Sequence, residues 1–84
     1  MVEKTLFKFE DEISKTEIAE HLDRVSEKLK SGERIKFKSN EDIELNPSEN
    51  PEFEVKVEEE GNELSLEIEI EWDKDETSSN LEIS

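Results

Sequence analysis

The sequence predicts a two-layer α+β fold, with one helix packed on a mostly antiparallel sheet of about five strands in the order β-α-β-β-β-β. Two observations carry that expectation. Apolar residues between Ile18 and Leu29 recur every three or four positions, as on one face of a helix, whereas from Ile35 to Trp72 they recur every two, as on one face of a strand. Periodicity matters here because composition alone, 30% hydrophobic against 44% charged, would place the chain close to the disordered class.

The first expected strand is Lys4–Glu10, KTLFKFE, with Thr5, Phe7 and Phe9 on one side and Leu6, Lys8 and Glu10 on the other. The helix is expected over 14–31. Ser14 and Glu17 form the S-x-x-E pattern in which the hydroxyl and the carboxylate each cap the other residue's backbone N–H. Ile18, Leu22, Val25 and Leu29 then make a single stripe, with Ala19 and Ser26 at its rim. Asp11, Glu12 and Glu17 near the start and Lys28 and Lys30 near the end match the helix dipole. Gly32 can adopt the left-handed conformation that closes the last turn.

Beyond Gly32, Ile35 and Phe37 alternate with basic residues, and Ile43 and Leu45 with acidic ones. Apolar side chains of a hairpin share a face when Phe37 pairs with Ile43 and Ile35 with Leu45, which requires an odd loop, Ser39-Asn40-Glu41. Asn46-Pro-Ser-Glu-Asn-Pro51 is loop chemistry, since each proline lacks an N–H and disfavours helical backbone in the asparagine before it. A longer hairpin follows. A two-residue Gly61-Asn62 turn pairs Val57 with Leu66, Val55 with Ile68 and Phe53 with Ile70, so turn length and apolar parity give the same register. Phe7, Phe9, Phe37 and Phe53 are expected in the core, and Trp72 is expected to close its end. These elements make one domain over 1–73, and the polar KDETSSNLEIS stretch over 74–84 reads as a flexible tail.

Ser14, Glu17, Ala19, Leu22 and Gly32, then Pro51-Glu-Phe-Glu-Val55 and Leu64-Ser-Leu-Glu-Ile-Glu-Ile-Glu-Trp72, together resemble the amphi-Trp domain family over residues 3–73. The resemblance implies a single small α+β domain. It brings no established activity and no catalytic or binding residue.

The net charge is −15, and its placement is uneven. Residues 1–42 carry 9 basic and 11 acidic side chains, whereas residues 43–84 carry 2 and 15. Such a chain lacks the Lys and Arg that displace counterions from nucleic acid or approach anionic lipid, so direct nucleic-acid binding and membrane binding are not expected. A basic protein is the partner its field attracts. The absence of cysteine removes disulfides, thiolate metal sites and thiol redox chemistry, which together with the lack of a signal peptide or membrane-length apolar run points to the cytoplasm.

No motif places a nucleophile, and the chain is read as a non-enzyme without a cofactor. The alternative is a small enzyme or divalent-cation-dependent domain using His21, the lone histidine, with nearby carboxylates. Asp73-Lys-Asp75-Glu76 lacks the glycine and the distant glutamate of a calcium loop, so no metal ligands are assigned. The feature that does suggest function is a carboxylate ladder on the back of the long hairpin: Glu52, Glu54, Glu58, Glu67, Glu69, Glu71 and Asp73. Alternate residues of a strand stand ~6.6–6.8 Å apart, a spacing at which a row of Lys or Arg on a partner can meet them. The same charges also serve as a solvated face that keeps a small domain soluble. The expected assembly is a monomer or weak homodimer, the latter formed through a sheet edge.

Overall fold

The computed structural model describes residues 3–74. The chain divides between Asn46 and Pro47 into two compact units.

In the first unit the helix, α1, spans Lys15–Ser31. Ser14 is its N-cap, with extended backbone at φ −71° and ψ 158°. Its Oγ accepts from the Glu17 N–H at 3.1 Å, and the Glu17 carboxylate accepts from the Ser14 N–H at 3.3 Å, so the reciprocal cap forms as expected. At the other end Gly32 takes φ 77° and its N–H donates to the Lys28 carbonyl at 3.0 Å, ending the helix by the left-handed route. Lys28 Nζ also reaches Glu33 at 2.8 Å. That hydrogen bond and the opposite charge raise the Lys28 pKa and lower that of Glu33.

Two short strands follow, β1 (Ile35–Lys38) and β2 (Asp42–Leu45), paired antiparallel. Ile35 lies opposite Leu45 and Phe37 opposite Ile43, the register that apolar parity required. The Ser39 N–H donates to the Glu41 carbonyl at 3.0 Å across the three-residue loop. The helix lies against β1. Ile35 is the one buried hydrophobic side chain among the described residues, 6% exposed, with Val25, Phe37, Ile43 and Leu45 half-buried in the same unit.

Lys4–Glu10 forms no strand. Side chains rather than a backbone ladder fasten this segment: Phe7 stacks on Phe37 with ring centroids 5.7 Å apart, and Phe9 lies tilted 6.4 Å from His21.

The second unit holds β3 (Glu52–Glu60) and β4 (Glu63–Glu71), joined by Gly61-Asn62. Gly61 has φ 59° and, among the described residues, no non-glycine residue has positive φ, the sign pattern of a type II′ hairpin turn. The register matches the sequence expectation at every apolar pair: Val57 with Leu66, Val55 with Ile68 and Phe53 with Ile70.

The described residues thus show an α+β chain with four strands in two two-stranded sheets, where about five strands in one sheet were expected. The core assignment of the aromatics is corrected with it. Phe53 is 65% exposed and Phe9 is 55% exposed, while Phe7 and Phe37 are half-buried. The cause at Phe53 is that the second unit is a single layer, and a single layer supplies no facing surface of its own. Trp72 is half-buried and stands just after β4. The tail expected over 74–84 lies outside the described residues except for Lys74. Among the described residues no helix is long and apolar enough to cross a membrane.

Candidate functional site: the acidic face of the long hairpin

Period-two alternation and the Gly61-Asn62 turn place the candidate residues. In the β3–β4 ladder Glu52 faces Glu71, Glu54 faces Glu69, Lys56 faces Glu67, and Glu58 faces Ser65. All of these positions share one face of the sheet, because directly opposed residues point the same way. Asp73 lies two residues past β4 and is exposed. Six of the seven predicted carboxylates therefore stand in one paired array, with Asp73 beyond its end.

The array is longer than predicted. Glu60 faces Glu63 beside the turn, on the same face. The run Glu58-Glu59-Glu60 hides this extension by breaking the visible alternation, although the turn register reveals it. Glu59 falls on the opposite face, across from Leu64. Along the paired part of the acidic face, Lys56 and Ser65 are the only positions that are not Glu.

Lys56 is the local counter-charge. Its Nζ lies 3.8 Å from Glu58 and 3.9 Å from Glu67, both loose contacts between half-exposed groups, and such surface pairs stabilise little. Three pairs of opposed carboxylates are left: Glu52 with Glu71, Glu54 with Glu69, and Glu60 with Glu63. Neighbours within a strand are closer than the Debye length of ~8–10 Å at physiological salt, so their fields add. Crowding shows in Glu69, whose carboxyl is held above the ordinary range. A hydrogen bond shared with Glu54 is the main cause, followed by the charge of Glu71, while Lys56 works in the opposite direction.

The reverse face of the hairpin is apolar and carries Phe53, Val55, Val57, Leu64, Leu66, Ile68 and Ile70, with Glu59 among them. The first unit distributes charge differently. There Glu44 meets Arg34 at 3.2 Å and Lys36 at 3.6 Å, so its acids and bases pair locally.

His21 stands on the helix against Phe9, and Glu17, one turn before it, is engaged in the cap. Among the described residues no group of three or more His, Cys, Asp or Glu is arranged to hold a metal ion.

Fold and face together define a small α+β protein with one strongly acidic sheet surface. The chain belongs to the Amphi-Trp domain family, whose model matches residues 1–84. Neither a curated protein nor a solved structure shows significant similarity to it.

Proposed function

We propose that this protein is a noncatalytic interaction module that engages a basic protein surface through the acidic face of its long hairpin. The observation that supports this reading most is the pairing of like charges. Three directly opposed Glu pairs share one face with a single lysine, and the pKa of one of those carboxyls, Glu69, is raised by its acidic neighbours. Like charges placed opposite each other destabilise a sheet. A partner bringing Lys or Arg to this face relieves that repulsion, so association gains both the new attraction and the removal of the old conflict.

Glu52, Glu54, Glu58, Glu67, Glu69 and Glu71 are the contact residues in this proposal, with Asp73, Glu60 and Glu63 extending the face at its ends. The module acts in the cytoplasm, as a monomer or weak dimer, with no cofactor. Calorimetric titration of a lysine-rich peptide at low and moderate salt tests it. Binding is expected to weaken at least tenfold as salt rises from about 20 to 150 mM, since exposed charge attraction is screened over that range. Changing Glu54, Glu67, Glu69 and Glu71 together to Gln is expected to abolish it. Full binding by that variant overturns the proposal.

A further inference from the structure

The first unit contains an open cleft of about 590 Å³, lined by Phe7, Phe9, Ile13, Ile18, Leu22 and Phe37. The volume falls in the ~300–1,000 Å³ range of small-ligand sites. Three of its lining residues are phenylalanines brought from two parts of the chain, the segment before the helix and β1. His21 adds a fourth ring beside Phe9, at 6.4 Å between centroids. Glu10 and Asp11 also line the cleft.

We infer that this cleft binds a quaternary ammonium group. An aromatic face carries negative quadrupolar charge and attracts a cation lying within about 6 Å of the ring centre. A methylated ammonium suits the site better than a bare one. Its charge is spread over methyl groups, so it sheds little hydration on entering an apolar wall and gains dispersion contacts with Ile13, Ile18 and Leu22.

Charge favours a cation over an anion. Glu10 is only loosely paired with Lys8, at 3.5 Å between highly exposed groups, and Asp11 accepts one hydrogen bond, from the Glu12 N–H at 2.8 Å. Neither contact neutralises its carboxylate. Lys38 also lines the cleft and opposes a cation, but the two carboxylates outnumber it. This inference stands apart from the hairpin face, because every lining residue lies in the first unit.

Residue-resolved NMR of the full chain tests it with choline and with 3,3-dimethylbutan-1-ol, which replaces the charged nitrogen by carbon at nearly constant shape. Choline is expected to shift the signals of Phe7, Phe37 and Ile13 and to bind about fivefold more tightly than the alcohol. Phe9→Leu, at an exposed ring, is expected to weaken choline binding severalfold, and Lys38→Gln to strengthen it. N-acetyl-trimethyllysine methylamide, run in parallel, separates the two sources of the group: tighter binding than choline assigns the cleft to a modified lysine side chain, and weaker binding to a free ammonium ligand. Equal affinity for choline and the alcohol, or no shift at the cleft with either ammonium compound, overturns the inference. The four-Glu-to-Gln hairpin variant is expected to bind choline unchanged, so failure here and failure of the acidic face are read separately.

Discussion

Replacing Ile35 with alanine removes the one hydrophobic side chain that the described residues bury. Ile35 sits at the start of β1, opposite Leu45, on the strand that the helix lies against. Truncating a buried isoleucine to alanine costs ~2–5 kcal/mol, the larger values arising where a rigid cavity remains. At 6% exposure nearly the whole transfer contribution is lost. Val25 and Leu45 are only half-buried, so the walls can relax and water can enter, and the loss belongs at the low end, about 2–3 kcal/mol. Against the ~0.05–0.15 kcal/mol per residue typical of small domains, that is a large share of the stability available to 84 residues. Urea unfolding followed by far-UV circular dichroism measures it. The midpoint is expected to fall by about 0.7–3 M with an unchanged slope, given ~1–3 kcal/mol per molar for small proteins. Leu64→Ala is the matched control, because Leu64 is 75% exposed and its truncation is expected to stay within about 0.5 kcal/mol. Equal losses at the two positions would refute the reasoning from burial.

Ser14→Ala removes the acceptor of the Glu17 N–H and is expected to cost about 1 kcal/mol, read from the unfolding midpoint and from lost helical signal. Gly61→Ala is expected to destabilise the hairpin by ~1–2 kcal/mol purely through backbone conformation, since a methyl group there meets no neighbour within 4 Å; Gly61→Asn should recover part of the loss in the same assay. Carboxyl-detected NMR titration is expected to find Glu69 protonating above the ordinary glutamate range and Glu33 below it. The signs of the linked stability differ. Glu69 has a raised folded-state pKa, so its contribution favours folding fully below the unfolded-state value and is lost as pH rises through the folded one. Glu33 has a lowered pKa, so its contribution is present above the unfolded-state value and is lost as pH falls through the folded one. Glu54→Gln is expected to bring the Glu69 titration back toward the ordinary range, and an unmoved midpoint would reject the shared hydrogen bond as its main cause.

Elements set by neighbours in sequence were legible in the sequence. The helix limits follow from Ser14, Glu17 and Gly32, whose hydrogen bonds are local, and both hairpin registers follow from turn length and apolar parity. What did not follow was pairing between distant segments. Lys4–Glu10 alternates as a strand does, but alternation says only that one side is apolar, and here Phe7 and Phe9 meet side chains of β1 and the helix instead of supplying a ladder. The same gap explains Phe53, whose period placed it on an apolar face without saying what faces it. The candidate site was nearly complete in the sequence because an antiparallel register fixes which carboxylates oppose each other. Glu60 and Glu63 were the omission. The aromatic cleft, by contrast, joins Phe7, Phe9 and Phe37 across about thirty residues of chain, and no local spacing marks such a junction.

The acidic hairpin face is proposed here as the binding surface for a basic protein segment. Its most direct test is an NMR titration of the full chain with a short peptide alternating lysine and alanine, at low and at moderate salt. Shifts are expected to concentrate at Glu52–Glu60 and Glu63–Glu71, saturating at low salt and fading as salt is raised. Shifts scattered evenly over the acidic residues of both units, or a hairpin that does not respond at low salt, would contradict it.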